Sequence, residues 1–189
     1  MKKWLFNPFI YIAGARALII GWAIMAVTAV IGYYSHAHFD GAIDMHVGRI
    51  AAMPVYFLEQ LVDWGSVVLL FYFAGLFFSK SKIRFVDVAG TLALARWMMI
   101  FPAIIVFGIK APGAIHTIDD AMKLITGTTI IFGLLIVVFA IWMVALMYNA
   151  FKVSCNMKGS NATLIFIAGL IIAEILSHFI LHGVYKHLN

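Results

Sequence analysis

The chain has 189 residues, of which 65% are hydrophobic and 11% charged, and its mean hydropathy is +1.04. Soluble domains carry about 45–50% apolar residues, so the composition excludes an ordinary soluble fold and leaves little length for a separate soluble domain. The single cysteine, Cys155, excludes an intrachain disulfide and a cysteine-based zinc cluster, and the net charge of +5 is explained below by where the charges lie rather than by nucleic acid.

The N-terminal stretch MKKWLFNPFIYIAGAR has the basic start of a signal peptide, but Asn7-Pro8 interrupts its apolar run. It reads as a retained interfacial segment, 1–16, with Trp4, Phe6, Phe9 and Tyr11 at headgroup level. About 20 apolar residues cross a bilayer core as a helix, and five stretches qualify: 17–35, 61–79, 86–108, 128–149 and 162–183. The connection 36–60 is the longest on its side and contains Pro54. Pro102 predicts a kink in the third span. In the fifth, Gly169, Ala173 and Ser177 form a small-xxx-small row that lets another helix approach closely. The expected fold is an all-α polytopic membrane helix bundle, one integral domain over 1–189.

Lys and Arg set the expected orientation. Lys2, Lys3, Arg16, Lys80, Lys82, Arg84, Lys152 and Lys158 fall on one side; Arg49, Lys110, Lys123 and Lys186 fall on the other. Eight against four predicts a cytoplasmic N-terminus and, after five crossings, an external C-terminus. The basic pI near 9.4 is then an orientation signal, reinforced by contacts with anionic lipid. Asn161-Ala162-Thr163 matches the glycosylation pattern, but on the cytoplasmic side it is a chance match.

All seven histidines avoid the cytoplasmic side: His36, His38 and His46 after the first span, His116 after the third, and His178, His182 and His187 at the end of the fifth. Asp40, Asp44, Glu59, Asp63, Asp119 and Asp120 also lie at or near the outer side. Glu174, His178 and His182 stand at i, i+4, i+8, so they share one helix face. Imidazole with carboxylate suits a divalent ion such as zinc, which makes His36, His38, His46, Glu174, His178 and His182 candidate ligands. A buried polar network and a pH-sensing cluster remain alternatives, because no complete metal motif is present.

Arg96 lies about 11 residues into the third span and Glu174 about 12 into the fifth, so both sit near the midplane at about 1.5 Å rise per residue. A charge there costs about 2.5–3.5 kcal/mol on insertion scales, and the economical expectation is an Arg96–Glu174 ion pair. It either clamps the helices or lines a polar path. There is no nucleophile elbow, Walker loop or Cys/His nucleophile pair, so the residues give little support for an enzyme.

FNPFIYI near the start, RFVDVAGTLALAR entering the third span, and FKVSCNMKGSNATLIFIAGLIIAEILS across the last loop and span together resemble the Yip family of Ypt/Rab-interacting multi-pass membrane proteins. The resemblance implies five spans and a role in membrane organisation or trafficking, and brings no catalytic residues with it. Eukaryotic members carry a sizeable cytosolic N-terminal segment where this chain has about 16 residues. A short prokaryotic-type member of the bacterial cytoplasmic (inner) membrane is therefore expected. Three readings stand. The first is a non-enzymatic scaffold, with membrane lipids and a homo-oligomer or membrane-protein partner and no nucleic acid. The second is a transporter or channel using Arg96 and Glu174. The third is a metal-dependent membrane protein built on the outer histidines.

Overall fold

Apolar runs of this length must close their backbone hydrogen bonds internally, and a helix does so within one segment. The computed structural model describes residues 2–48, 51–109 and 125–188, and about 81% of these described residues are helical. Arg49, Lys110, His116, Asp119, Asp120 and Lys123 lie outside the described residues. A short helix α1 (Lys2–Phe6) and a 3-10 turn (Pro8–Ile10) precede α2 (Gly14–Ser35). A two-residue antiparallel ladder follows, with Ala37 opposite Val47 and His38 opposite His46. Next come α3 (Met53–Phe78), α4 (Phe85–Ala95), a 3-10 turn (Arg96–Met99), α5 (Ile100–Ile105) and a second 3-10 turn (Val106–Gly108). Helices α6 (Gly127–Ser154) and α7 (Gly159–Leu188) complete the described chain.

Among the described residues, five helical segments are long and apolar enough to cross a membrane: Gly14–Ser35, Met53–Phe78, Phe85–Gly108, Gly127–Ser154 and Gly159–Lys186. Their outward faces carry Ile19, Leu134, Ile141, Ile175 and Phe179, all exposed. So large an apolar surface is stable against lipid and not against water.

The second segment starts eight residues earlier than the apolar run implies. Pro54 sits in the first turn of α3, where its missing N–H breaks no helical bond. Glu59, Gln60, Asp63 and Ser66 are buried, so they lower the hydropathy of the run without ending the helix. In the third segment the irregularity falls at Arg96–Met99, just ahead of Pro102. The proline ring crowds the carbonyl four residues back and withholds an N–H, and the preceding turn tightens to 3-10 geometry.

The third segment is the centre of the bundle. α2 packs directly on α4: at Gly21 a Cβ would lie 2.5 Å from the backbone of Ala93 and Leu94. Phe71, Leu92, Met98, Met143, Leu146 and Phe151 are fully buried around it. The Phe71 ring stands between Phe151 and Phe166, with centroids 4.9 and 5.2 Å away. The N-terminal segment lies along α6, whose Trp142 Nε1 donates to the Leu5 carbonyl and Asn149 Nδ2 to that of Phe6. At the same end the 79–84 loop meets the turn after α6, where Asn156 Nδ2 donates to Ser81 Oγ at 2.7 Å.

Candidate functional site

The opposite end is built around residues 36–48, which do not stay on the surface. His36 ends α2 in the left-handed conformation (φ 62°) and turns the chain inward. Ala37, His38, Phe39 and Ala42 are then buried between α2, α3 and α7. Irregular backbone inside an apolar bundle needs partners for its N–H and C=O groups. Buried polar side chains provide them. Phe39 N–H donates to Glu59 Oε2 (3.0 Å), Ala42 N–H to Ser177 Oγ (3.0 Å) and Ile43 N–H to Glu174 Oε2 (2.9 Å). The Ala42 carbonyl accepts from Arg96 Nη1 at 2.9 Å.

This geometry corrects the expected Arg96–Glu174 ion pair. Arg96 Nη2 pairs with Asp63 Oδ2 at 3.0 Å, both groups being buried. Arg96 and Glu174 instead grip opposite sides of one peptide unit, the Ala42 carbonyl and the Ile43 N–H. The reason is positional: α3 begins early enough to bring Asp63 inside the bundle, and the loop lies between α7 and Arg96.

Glu59, one turn before Asp63, is the second anchor. Its Oε1 is 2.7 Å from His38 Nδ1 and accepts from the Tyr185 hydroxyl at 2.6 Å. His38 Nε2 lies 3.1 Å from the Tyr56 hydroxyl. With Glu59 ionised, the ring proton belongs on Nδ1, and in the neutral ring Nε2 accepts from Tyr56. Glu59, Asp63, Tyr56 and Tyr185 are the site residues that sequence reasoning missed. The signal for the first two was Glu59, Gln60, Asp63 and Ser66, spaced along one helical face.

At the mouth of the loop the groups are more open. His46 Nδ1 is 3.0 Å from Asp40 Oδ1, and the His46 ring stacks on His38 with centroids 5.4 Å apart. The Asp40 hydrogen bond raises the affinity of His46 for its proton, against an opposing effect of partial burial. Burial pushes the Asp40 carboxyl up, but the hydrogen bond and charge of His46 outweigh it and hold it below the usual range. His178 Nε2 is 3.3 Å from Glu174 Oε1 and 3.8 Å from Asp44 Oδ2, and its Nδ1 is 4.0 Å from Asp40 Oδ2. Asp40, His178, His182 and Tyr185 line a cavity of about 90 Å³.

The six candidate ligands therefore separate. Glu174 and His178 stand together with Asp44. His182 is one turn further out, across the small cavity. His38 is held by Glu59 and Tyr56, and His46 by Asp40. His36 points elsewhere, its buried Nδ1 without a hydrogen-bond partner among the described residues. Of the small-residue row, Gly169 packs against the Phe71 ring, while Ala173 and Ser177 are fully buried. That row serves contacts within this bundle, so it is not a face open to a second molecule. Cys155 is buried too, and burial pushes its thiol up to about 11, so it is a poor nucleophile. No protein-family model, curated protein or solved structure matches the chain.

Proposed function

We propose that the chain is a non-enzymatic, multi-pass membrane protein that acts as a scaffold organising its membrane, in line with its resemblance to the Yip family. One observation carries this reading: Glu59, Glu174 and Arg96 hold the backbone of residues 39–43. Charges that conduct an ion or substrate must be free to change partners. Arg96 and Glu174 instead have fixed ones in a single peptide unit.

The basic end, with Lys80, Lys82, Arg84, Lys152 and Lys158, faces the cytoplasm in this reading, and the loop 36–48 faces outward. The host is a bacterial inner membrane. Tyr34, exposed near the outer end of α2, and Ser81, exposed at the basic end, provide a test of orientation. In intact cells an impermeant thiol reagent should label Tyr34→Cys and miss Ser81→Cys, and buried Cys155 should not contribute. The reverse pattern inverts the topology.

Function is tested in proteoliposomes. A scaffold changes vesicle size in proportion to protein density and carries no proton, sodium or zinc flux above protein-free vesicles. A flux that disappears in Glu174→Gln would overturn the scaffold reading in favour of transport.

A further inference from the structure

The mouth of the loop presents three carboxylates, Asp40, Asp44 and Glu174, to one imidazole, His178. Among the described residues none of these carboxylates is paired with a Lys or Arg; the pairs those residues form are Arg84–Asp87 and Arg96–Asp63. Asp40 is already met by His46 at 3.0 Å, which leaves Asp44 and Glu174 sharing the single imidazole of His178, and like charges held this close repel each other. A cation between them relieves that repulsion.

We infer that Asp44, Glu174 and His178 form a binding site for a divalent transition cation of the zinc type, which ties the loop to α7. One ligand atom from each lies within 4.8 Å of the other two. Tetrahedral ligands at about 2.0–2.1 Å from zinc stand about 3.3 Å apart. The His178–Glu174 separation of 3.3 Å already has that value, and the His178–Asp44 separation of 3.8 Å needs a small movement of an exposed side chain.

The surroundings supply what a metal site requires beyond its ligands. The Ile43 N–H fixes Glu174 through Oε2 and leaves Oε1 turned toward His178. Nε2 is the nitrogen that faces Glu174 and Asp44 and so is the one offered to the ion, while Asp40 lies 4.0 Å from Nδ1, beyond hydrogen-bond distance. Gly41 lets the two elements meet, since a Cβ there would overlap Glu174 Oε1. The His178 and Asp44 side chains are 45% and 57% exposed, so the ion has access from solvent and can keep a water as its fourth ligand. The imidazole favours zinc-type ions over magnesium and calcium, which prefer oxygen alone.

The test uses the tag-free full chain in mild detergent, stripped with chelator and titrated with Co²⁺ as a visible probe that Zn²⁺ should displace. One Co²⁺ per chain is expected, with a Kd below 0.1 mM as an order-of-magnitude bound for a site with three protein ligands. Asp44→Asn and His178→Gln should each weaken binding about tenfold or more, while Asp87→Asn at the opposite end leaves it unchanged. Zn²⁺ should raise the melting temperature of the parent and not of Asp44→Asn. Asp44 is exposed, so its variant folds, and its result decides the matter if His178→Gln does not fold. Equal Co²⁺ binding by the parent and Asp44→Asn, or binding only at millimolar concentration, overturns the site.

Discussion

Replacing Arg96 with leucine tests the centre of the bundle. Arg96 is 2% exposed, and its Nη2 and Nη1 reach Asp63 Oδ2 at 3.0 Å and the Ala42 carbonyl at 2.9 Å. Arg96→Leu leaves the Asp63 carboxylate buried without its counter-charge, which costs about 3–5 kcal/mol. The Ala42 carbonyl loses its donor, for about another 1–3 kcal/mol. At about 2–4 °C per kcal/mol for a chain of this size, thermal unfolding in detergent should fall by about 10 °C or more. A second substitution identifies the partner. Asp63→Leu/Arg96→Leu removes both charges and should recover most of the loss, because a buried pair replaced by apolar residues is often nearly neutral. Glu174→Leu/Arg96→Leu should recover nothing and lose the Ile43 anchor as well. An Arg96→Leu protein as stable as the parent, or recovery through Glu174 rather than Asp63, would refute the assignment.

Three further outcomes follow from the same loop. Ser177→Ala leaves the buried Ala42 N–H unpaired and should cost about 1–3 kcal/mol, read as a lower melting temperature with secondary structure intact by circular dichroism. Gly41→Ala places a methyl group on Glu174 Oε1 and should destabilise by more than 1 kcal/mol as an order of magnitude. The control Gly65→Ala, with nothing within 4 Å of its Cβ, should be neutral or slightly stabilising. In chelator-treated protein the Asp40–His46 pair sets a pH window. His46 binds its proton more tightly when folded, so its contribution is complete below its ordinary 6.5 and is lost as pH rises through the higher folded value. Asp40 is held low, so its contribution is complete above its ordinary 3.8 and is lost as pH falls through the lower folded value. Protection of the Gly48 amide, whose N–H donates to the His36 carbonyl, should be greatest between these limits and fall as pH rises through the folded value of His46. In His46→Ala that fall in protection should be absent.

The five long helices were legible because lipid-facing helices are apolar around most of their circumference, and hydropathy detects that directly. The start of α3 was not legible in the same way. Glu59, Gln60 and Asp63 depress a hydropathy average whether they face water or a polar interior, and only their common helical face distinguishes the two. Arg96 and Glu174 were recognisable as groups that need polar partners; Arg96 is buried with Asp63, and Glu174, 20% exposed, binds the Ile43 N–H. Their partners were not recognisable, because an ion pair between spans is the simplest solution only when nothing lies between them. A non-helical segment of about ten residues does lie between them, and its sequence, HFDGAIDMH, looks like an ordinary polar connection. The Glu174–His178 stack followed from i, i+4 spacing. That Asp44 joins it depends on a loop path no periodicity encodes, as does the separation of His36 from the other histidines.

The order of burial along the loop suggests how these parts divide their roles. Phe39 and Ala42 are inside and bound to Glu59, Ser177 and Arg96, and pulling them out strands two charged groups and a buried hydroxyl on three separate segments at once. That inner section should open only with the bundle itself, as one cooperative unit. Asp44 and His46 are at the exposed tip: His46 adds only a two-residue ladder, a ring stack and the Asp40 contact, and Asp44 has partly screened charges beside it, which are worth little individually in water. A cation at Asp44, Glu174 and His178 would act on this weaker section. It would fix the tip to α7 without being needed for the fold, because Glu174 is already anchored through Ile43. Removing the metal should therefore increase exchange at the tip while leaving the amides of Phe39 and Ala42 protected. If chelation exposed those two amides as strongly as the tip, the inner and outer sections would be one unit, and the cation would be a structural part of the core.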